Sequence, residues 1–237
     1  MSTYVHQQCT QSLPILYADD AIVLVNKPSG LLSVPGRDPA NYDSVYSRLL
    51  ARFGEMHVVH RLDMDTSGVM VLARHKDALR HLSRQFQERT TRKQYLAWVD
   101  GPMAQDQSSV NLPLRCDWPN RPKQMVDMIQ GKPSLTEYEV LHYDAVKQAS
   151  LVRLTPITGR SHQLRVHMAA LGNPILGCRF YADAQAQAKA ARLQLHAEYL
   201  RILHPDSNLS LSQRVEADFV SREYQKDCFA TLAKTSW

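Results

Sequence analysis

His60-Arg61-Leu62-Asp63-Met64-Asp65-Thr66-Ser67-Gly68 runs directly into Val69-Met70-Val71-Leu72-Ala73. Five apolar residues in succession, entered through a glycine, read as a buried strand. The polar nonapeptide before it is then a loop delivered to the edge of a sheet, where functional side chains concentrate. Thr66, Ser67 and Gly68 suit a tight hydrogen-bonded turn. Asp63 stands between Arg61 and a second acid. A carboxylate held at a strand entrance can serve as base, nucleophile or metal ligand, and in a plain surface turn it is simply solvated.

The chain around this stretch has 237 residues, enough to bury a sizeable core in one domain. Hydrophobic residues make up 44% of it, which excludes a disordered chain. No apolar run reaches the ~18 residues of a membrane span, and the N-terminus has neither a basic nor an apolar signal region. A cytoplasmic protein is expected. Cys9, Cys116, Cys178 and Cys228 are scattered singly, as reduced thiols are, and offer no paired zinc spacing. A net charge of +5 favours a polyanionic partner.

In chain order, residues 1–13 form a polar lead-in. Ile15-Leu16-Tyr17 and Ala21 to Asn26 read as a hairpin, broken by Lys27-Pro28-Ser29-Gly30. Asp43-Ser44 can cap a helix that turns Val45, Leu49, Leu50 and Phe53 inward. Lys76 to Arg89 reads as a second helix, with Leu79, Leu82 and Phe86 on one face and Arg80 and Arg84 on the other. With Arg74, Lys76, Arg89, Arg92 and Lys93, seven cations stand there against Asp77 and Glu88. Gln94 to Val99, Ser134 to His142, Ala149 to Thr155 and Tyr199 to Leu203 read as strands. Three prolines exclude a helix between Leu112 and Met125, where Trp118 is interleaved with Arg121 and Lys123. Thr158 or Ser161 can cap a helix burying Leu164, Met168 and Leu171 and ending at Gly172. Ala182 to Ala191 is helical by propensity. His162 and His167 are spaced i, i+5, which does not put both on one helix face, so no metal is expected.

His-Arg-Leu-Asp-x-x-Thr-Ser-Gly resembles the signature of the RluA-type RNA pseudouridine synthases, with Asp63 at that family's catalytic aspartate. Lys27-Pro28-Ser29-Gly30-Leu31 resembles the family's first motif. Gly159-Arg160-Ser161-His162-Gln163-Leu164-Arg165-Val166-His167 resembles a second long one, in which Arg165 partners the aspartate. Leu193 to Ala197 is similar to a third, placing Leu195 as the apolar residue packed beside the carboxylate. Tyr95 falls on the family's active-site tyrosine, although a strand tyrosine is ordinarily half-buried packing. Arg61 resembles the residue that fills the space left by an extruded base. The resemblance runs from about Ile15 to about Phe219.

It implies an α+β fold, a mixed and mainly antiparallel sheet flanked by helices, with a catalytic domain over residues 14–219 and a tail over 220–237. Family members often carry an S4-type RNA-binding module ahead of this domain, and the residues before the first strand are too few for one. The implied activity converts specific uridines in structured RNA to pseudouridine without a cofactor. Asp117-Trp118-Pro119-Asn120-Arg121-Pro122-Lys123-Gln124 further resembles the dual-specificity branch, which acts on an rRNA loop and a tRNA anticodon loop. The implied partners are therefore rRNA and tRNA stem-loops, met by a monomer with no membrane and no metal. Trp118, Arg121, Lys123, Arg61, Arg80 and Arg84 are the candidate RNA contacts, by stacking and by phosphate pairing. A single-target synthase, or a silent RNA-binding relative, remains as the alternative. An aspartic protease does not, because Ser67 interrupts the Asp-Thr-Gly pattern that such an enzyme needs.

Overall fold

The computed structural model describes residues 9–221. The first eight residues of the expected lead-in, and all of the expected tail beyond residue 221, lie outside the described residues. The chain begins with a hairpin of β1 (Ile15–Ala18) and β2 (Ile22–Lys27), whose turn closes on the Asp19 carboxylate accepting from the Ala21 and Ile22 amides. Helix α1 (Val45–Phe53) starts where Ser44 and Ser47 exchange side-chain and backbone hydrogen bonds. The two-residue strand β3 (His57–Val58) leads into the Asp63 loop, followed by β4 (Ser67–Ala73) and α2 (Lys76–Glu88). Next come β5 (Arg92–Asp100), β6 (Gln107–Asn111) and a small hairpin of β7 (Leu114–Cys116) and β8 (Gln124–Val126). Long strands β9 (Leu135–Asp144) and β10 (Ala149–Pro156) precede α3 (Gln163–Ala170), α4 (Ala184–Ala188), β11 (Leu195–Leu203) and β12 (Ser210–Arg214).

One sheet runs in the order β1-β2-β4-β11-β5-β10-β9-β6, with β3 added to β4 and β12 to β11. Its pairings are antiparallel except that of β4 with β11. The fold is α+β, as the sequence implies. Helices cover both faces. Val69, Val71 and Ala73 pack with Leu82 of α2, while Met70 and Leu72 pack with Val45 and Leu49 of α1. Every residue of β4 is consequently buried, and its hydrophobic run is continuous rather than alternating. Further along the sheet, Ala97 and Val99 face Leu164 and Met168 of α3, and Leu96 and Trp98 face Ala186 of α4.

Several local expectations change. Ser67 and Gly68 belong to β4, and the turn lies earlier, closed by the Thr66 amide on the Asp63 carbonyl at 3.1 Å. Neither Thr158 nor Ser161 caps α3; the cap residue is His162, in the left-handed region and without a side-chain capping bond. The Gln163 carboxamide instead organises this entry, accepting from the Thr158 hydroxyl and the Arg160 amide. Leu171 is 40% exposed, because α3 ends one residue earlier and turns it away from the core. The alanine-rich helix shrinks to Ala184–Ala188, where Ala186 alone is buried and little packing supports further turns. Strand β11 begins at Leu195, four residues before the expected start, while β3, β6 and β12 carry too little apolar pattern to have been read.

Strands β4 and β11 pair at only two positions, Ser67 with His196 and Gly68 with Ala197. Gly68 has φ +115°, and a Cβ there would lie 2.2 Å from the Ala197 carbonyl oxygen and 2.6 Å from its nitrogen. Only glycine lets the strand leaving the Asp63 loop enter the middle of the sheet. Gly68→Ala should therefore cost more than ~3 kcal/mol in urea unfolding, with activity lost in parallel. Gly30→Ala, at φ +85° with no atom within 4 Å of its Cβ, should cost only ~1–2 kcal/mol. Equal losses in the two variants would show that backbone strain, and not the contact with Ala197, sets the requirement.

Candidate active site

The Asp63 loop is held from behind by the turn that follows β2. The Lys27 ammonium donates to the carbonyls of Pro28 at 3.0 Å, Leu31 at 2.6 Å and Met64 at 2.8 Å. The Gly30 amide also reaches Met64, the Ser29 hydroxyl donates to the Asp65 carbonyl, and the Ser33 hydroxyl donates to the Leu62 carbonyl. Lys27 is fully buried, and burial draws its pKa down to about 7 against the opposing pull of Asp65 and Asp63. Asp65 turns away from Asp63 to pair with the Arg179 guanidinium at 2.9 and 3.1 Å. Two neutral histidines complete the frame. His60, which burial takes down to about 3, accepts from the Val71 amide and stacks on Phe86 with centroids 4.6 Å apart. His196 donates from Nε2 to the Val215 carbonyl, so its Nδ1 accepts from the Ser67 hydroxyl at 2.9 Å.

On the front of the loop, Oδ2 of Asp63 lies 3.2 Å from Nη1 of Arg165 and 3.8 Å from Nε2 of His162. Arg165 projects from α3 and is 2% exposed. Burial opposes its charge, yet Cys178 and Asp63 hold the guanidinium above its usual range. Its Nε donates to the Cys178 thiol at 3.4 Å, and the faces of Phe180 and Tyr181 lie 5.1 and 5.4 Å from the guanidinium carbon. Nη2 is buried without a hydrogen-bond partner among the described residues. That leaves a donor beside Asp63 for a bound group. Tyr95 reaches the same space from β5, where burial and then the Asp63 charge push its phenol well up, so it stays protonated at neutral pH. His162 is driven down by burial, against Asp63, which favours its charged form.

These groups line a cleft of about 1220 Å³ that also contains Leu195, Arg61 and Arg121. Arg37, Arg89, Lys93 and Arg160 add further cations to its walls, of which only Arg89 and Lys93 had stood out in the sequence, as flanks of the basic helix. Trp118 stands outside the wall, 62% exposed, with the Arg121 guanidinium 4.8 Å from its ring centroid. Lys123 closes the same β7–β8 turn through its carbonyl, which accepts from the Asp117 amide. Arg80 and Arg84 are exposed on α2 and do not line the cleft, and Arg80 pairs with Asp77. His167 faces away from His162, bonded to Thr136 and to the Leu112 carbonyl. Among the described residues no group of three or more His, Cys, Asp or Glu side chains could hold a metal ion. The roles of Lys27, Ser33, Tyr181 and His162 escaped the sequence, since contacts between residues far apart in the chain leave no local pattern.

The described protein has no helix long and apolar enough to cross a membrane. The model of the RNA pseudouridylate synthase family matches residues 21–170. The dual-specificity RNA pseudouridine synthase RluA of Escherichia coli (strain K12) is 58% identical over 207 residues, covering 87% of this chain and 94% of that protein. The protein of the same name from Yersinia pestis is 55% identical over 205 residues, covering 86% and 99%. The one from Haemophilus influenzae is 50% identical over 207 residues, covering 87% and 94%. Among solved structures, human RNA pseudouridylate synthase domain containing 1 superposes with a TM-score of 0.78 at 27% identity, over 97% of this chain and 98% of that one.

Lys27 gives the site a pH signature. Its folded pKa lies near 7 and an unfolded lysine titrates near ~10.4. Between those values the unfolded chain holds more protons, so Lys27's contribution to stability grows as pH rises through that window. The urea midpoint of the wild type, measured relative to Lys27→Met, should climb from about pH 6.5 to about pH 9.5. Parallel curves for the two proteins would mean that the three carbonyls keep the ammonium charged throughout.

Proposed function

The chain belongs to the RNA pseudouridylate synthase family, and from that premise we propose that it isomerises uridines in two RNAs, an rRNA loop and a tRNA anticodon loop. Two features support the pair of targets: the relatives bearing the dual-specificity name cover most of the chain, and the Trp118–Lys123 turn stands beside the cleft. The observation that carries the activity is the Asp63 carboxylate, 3.2 Å from the buried Arg165 at the base of a cation-lined cleft. In this reading residues 14–219 are the catalytic domain of a monomer that works in the cytoplasm on stem-loops, without metal.

A stacked uridine has to leave its helix or loop to reach Asp63, at a cost of a few kcal/mol. Arg61, exposed at the cleft, takes the vacated space, and Arg37, Arg89, Lys93, Arg121 and Arg160 accept phosphates. Arg80 and Arg84 extend phosphate contact beyond the cleft. Tyr95 and Leu195 pack on the extruded base, with the protonated phenol as a hydrogen-bond donor. Arg165 aims the Asp63 carboxylate from 3.2 Å, and Nη2 serves the substrate. The reaction breaks the C1′–N1 bond, forms a C1′–C5 bond and releases the C5 proton while N1 gains one, so no redox partner or energy donor is needed.

Asp63→Asn should abolish tritium release from 5-tritiated uridine in both stem-loops, by at least about a thousandfold, with RNA affinity near that of the wild type. Asp65→Asn, which loosens the Arg179 tether and removes a charge that favours protonated Lys27, should keep measurable turnover. Robust turnover by Asp63→Asn would take Asp63 out of the catalytic role. Wild-type activity on one stem-loop alone would reduce the enzyme to a single target.

Trp118→Ala should weaken stem-loop binding by ~1–3 kcal/mol, the value of one base–aromatic stack. Filter binding at fixed salt checks this, and affinity equal to the parent's would take Trp118 out of recognition.

A further inference from the structure

The contact of His162 with Asp63 continues into a second structural unit. Tyr181 Oη accepts from the Gln124 amide of β8 at 2.8 Å and lies 2.7 Å from His162 Nδ1. The phenol proton points at Nδ1, which is its one acceptor within hydrogen-bond reach among the described residues. Burial pushes the Tyr181 phenol up to about 12, which keeps the proton in place. With Nδ1 accepting, the proton of the neutral imidazole sits on Nε2, the atom that faces Asp63 Oδ2 at 3.8 Å. The ring is clamped in that orientation by stacking on Phe180, with centroids 5.6 Å apart and planes 16° from parallel. His162 also holds a left-handed backbone, φ 53°, a conformation that a non-glycine residue keeps only when its surroundings enforce it.

We propose that Tyr181 and His162 are positioning residues that couple the β7–β8 hairpin to the Asp63 carboxylate through the path Gln124 amide, Tyr181 hydroxyl, His162 ring. The inference rests on the isomerase reading and adds a means by which RNA seated on the Trp118 turn adjusts the reacting group. Among the described residues strand β8 pairs only with β7, outside the large sheet, so a load on the hairpin is not absorbed by that sheet. The Tyr181 hydroxyl ties the hairpin's backbone to the His162 ring by hydrogen bonds. At 3.8 Å the final contact is longer than a hydrogen bond, and a small shift of the ring closes it.

Single-turnover pseudouridine formation and RNA affinity should be measured for the wild type, Tyr181→Phe, His162→Ala, His162→Gln and the double variant Tyr181→Phe/His162→Ala. Tyr181→Phe should slow the chemical step about tenfold while leaving RNA affinity within about twofold, which a purely structural loss would not do. The double variant should be no slower than His162→Ala by more than about twofold, because both changes cut one path. His162→Gln, which keeps an N–H donor, should recover part of the rate, and it replaces His162→Ala in the cycle if that variant fails to fold. A wild-type rate in Tyr181→Phe, losses that multiply in the double variant, or a loss carried wholly by affinity would each overturn the coupling. Absence of turnover in the wild type would sink the isomerase reading itself, whereas normal wild-type turnover beside an undiminished Tyr181→Phe sinks this inference alone.

Discussion

Two buried basic side chains bracket one loop, and their demand for hydrogen-bond partners sets where the loop lies. Lys27 and Arg165 are among the largest fully buried side chains, and an uncompensated charge in such surroundings costs several kcal/mol. Lys27 meets the demand with three carbonyl oxygens, one of them on Met64. Arg165 meets it with Asp63, the Cys178 sulfur and two aromatic faces. The neighbouring residues Asp63 and Met64 thus satisfy two buried donors from opposite sides. Displacing the loop in either direction strips a partner from one of them, so the carboxylate is held in place before any substrate arrives.

That bracketing also explains which features the sequence disclosed. Residues 69–73 could be read as a buried strand because burial on both faces leaves a continuous apolar run, visible within five residues. Asp63, Arg165 and Leu195 could be nominated through their motifs, and they line one cleft. Lys27 opens a motif as well, but that resemblance gave it no role. A lysine before Pro-Ser-Gly looks like an exposed turn residue, and only a carbonyl 37 residues away reveals it as buried. The helix cap at His162 was missed because the Gln163 side chain, and not a short hydroxyl, organises that turn. Strands β6 and β12 were missed because they lie at or near the margins of the sheet, where a polar pattern costs nothing and gives no signal.

Net charge is a poor guide to where the RNA-facing charge sits. The +5 balance and the cation-rich α2 direct attention to Arg80 and Arg84, yet Arg80 is engaged with Asp77 on an exposed helix. The cations that line the cleft come from at least five places, namely Arg37, Arg61, Arg89 with Lys93, Arg121 and Arg160. Apart from Arg89 and Lys93, which flank the basic helix, they are scattered along the sequence. Their convergence is a product of topology: β4, β11 and β5 are neighbours in the sheet, and the loops and α3 that extend from this region share one cleft. A polyanion attracted by that concentration of charge meets Asp63, the acid that Arg165 neutralises most closely, and so encounters little repulsion at the point of reaction.

Rigidity is unevenly distributed around the cleft, and function follows that distribution. The Asp63 loop is fixed by the Lys27 clasp and by β4, every residue of which is buried. The β7–β8 hairpin, in contrast, has three residues in each strand and pairs only with itself as a sheet, a unit that is marginal in water without outside support. Its support is local: His167 holds the Leu112 carbonyl, Lys132 pairs with Leu114, and Tyr181 holds the Gln124 amide. Exposed Trp118 sits at the tip of this lightly held element, while the charge that reacts sits in the firmly held one. An enzyme that accepts two RNA loops needs such a division, with tolerance at the surface that greets the substrate and none at the carboxylate that acts on it.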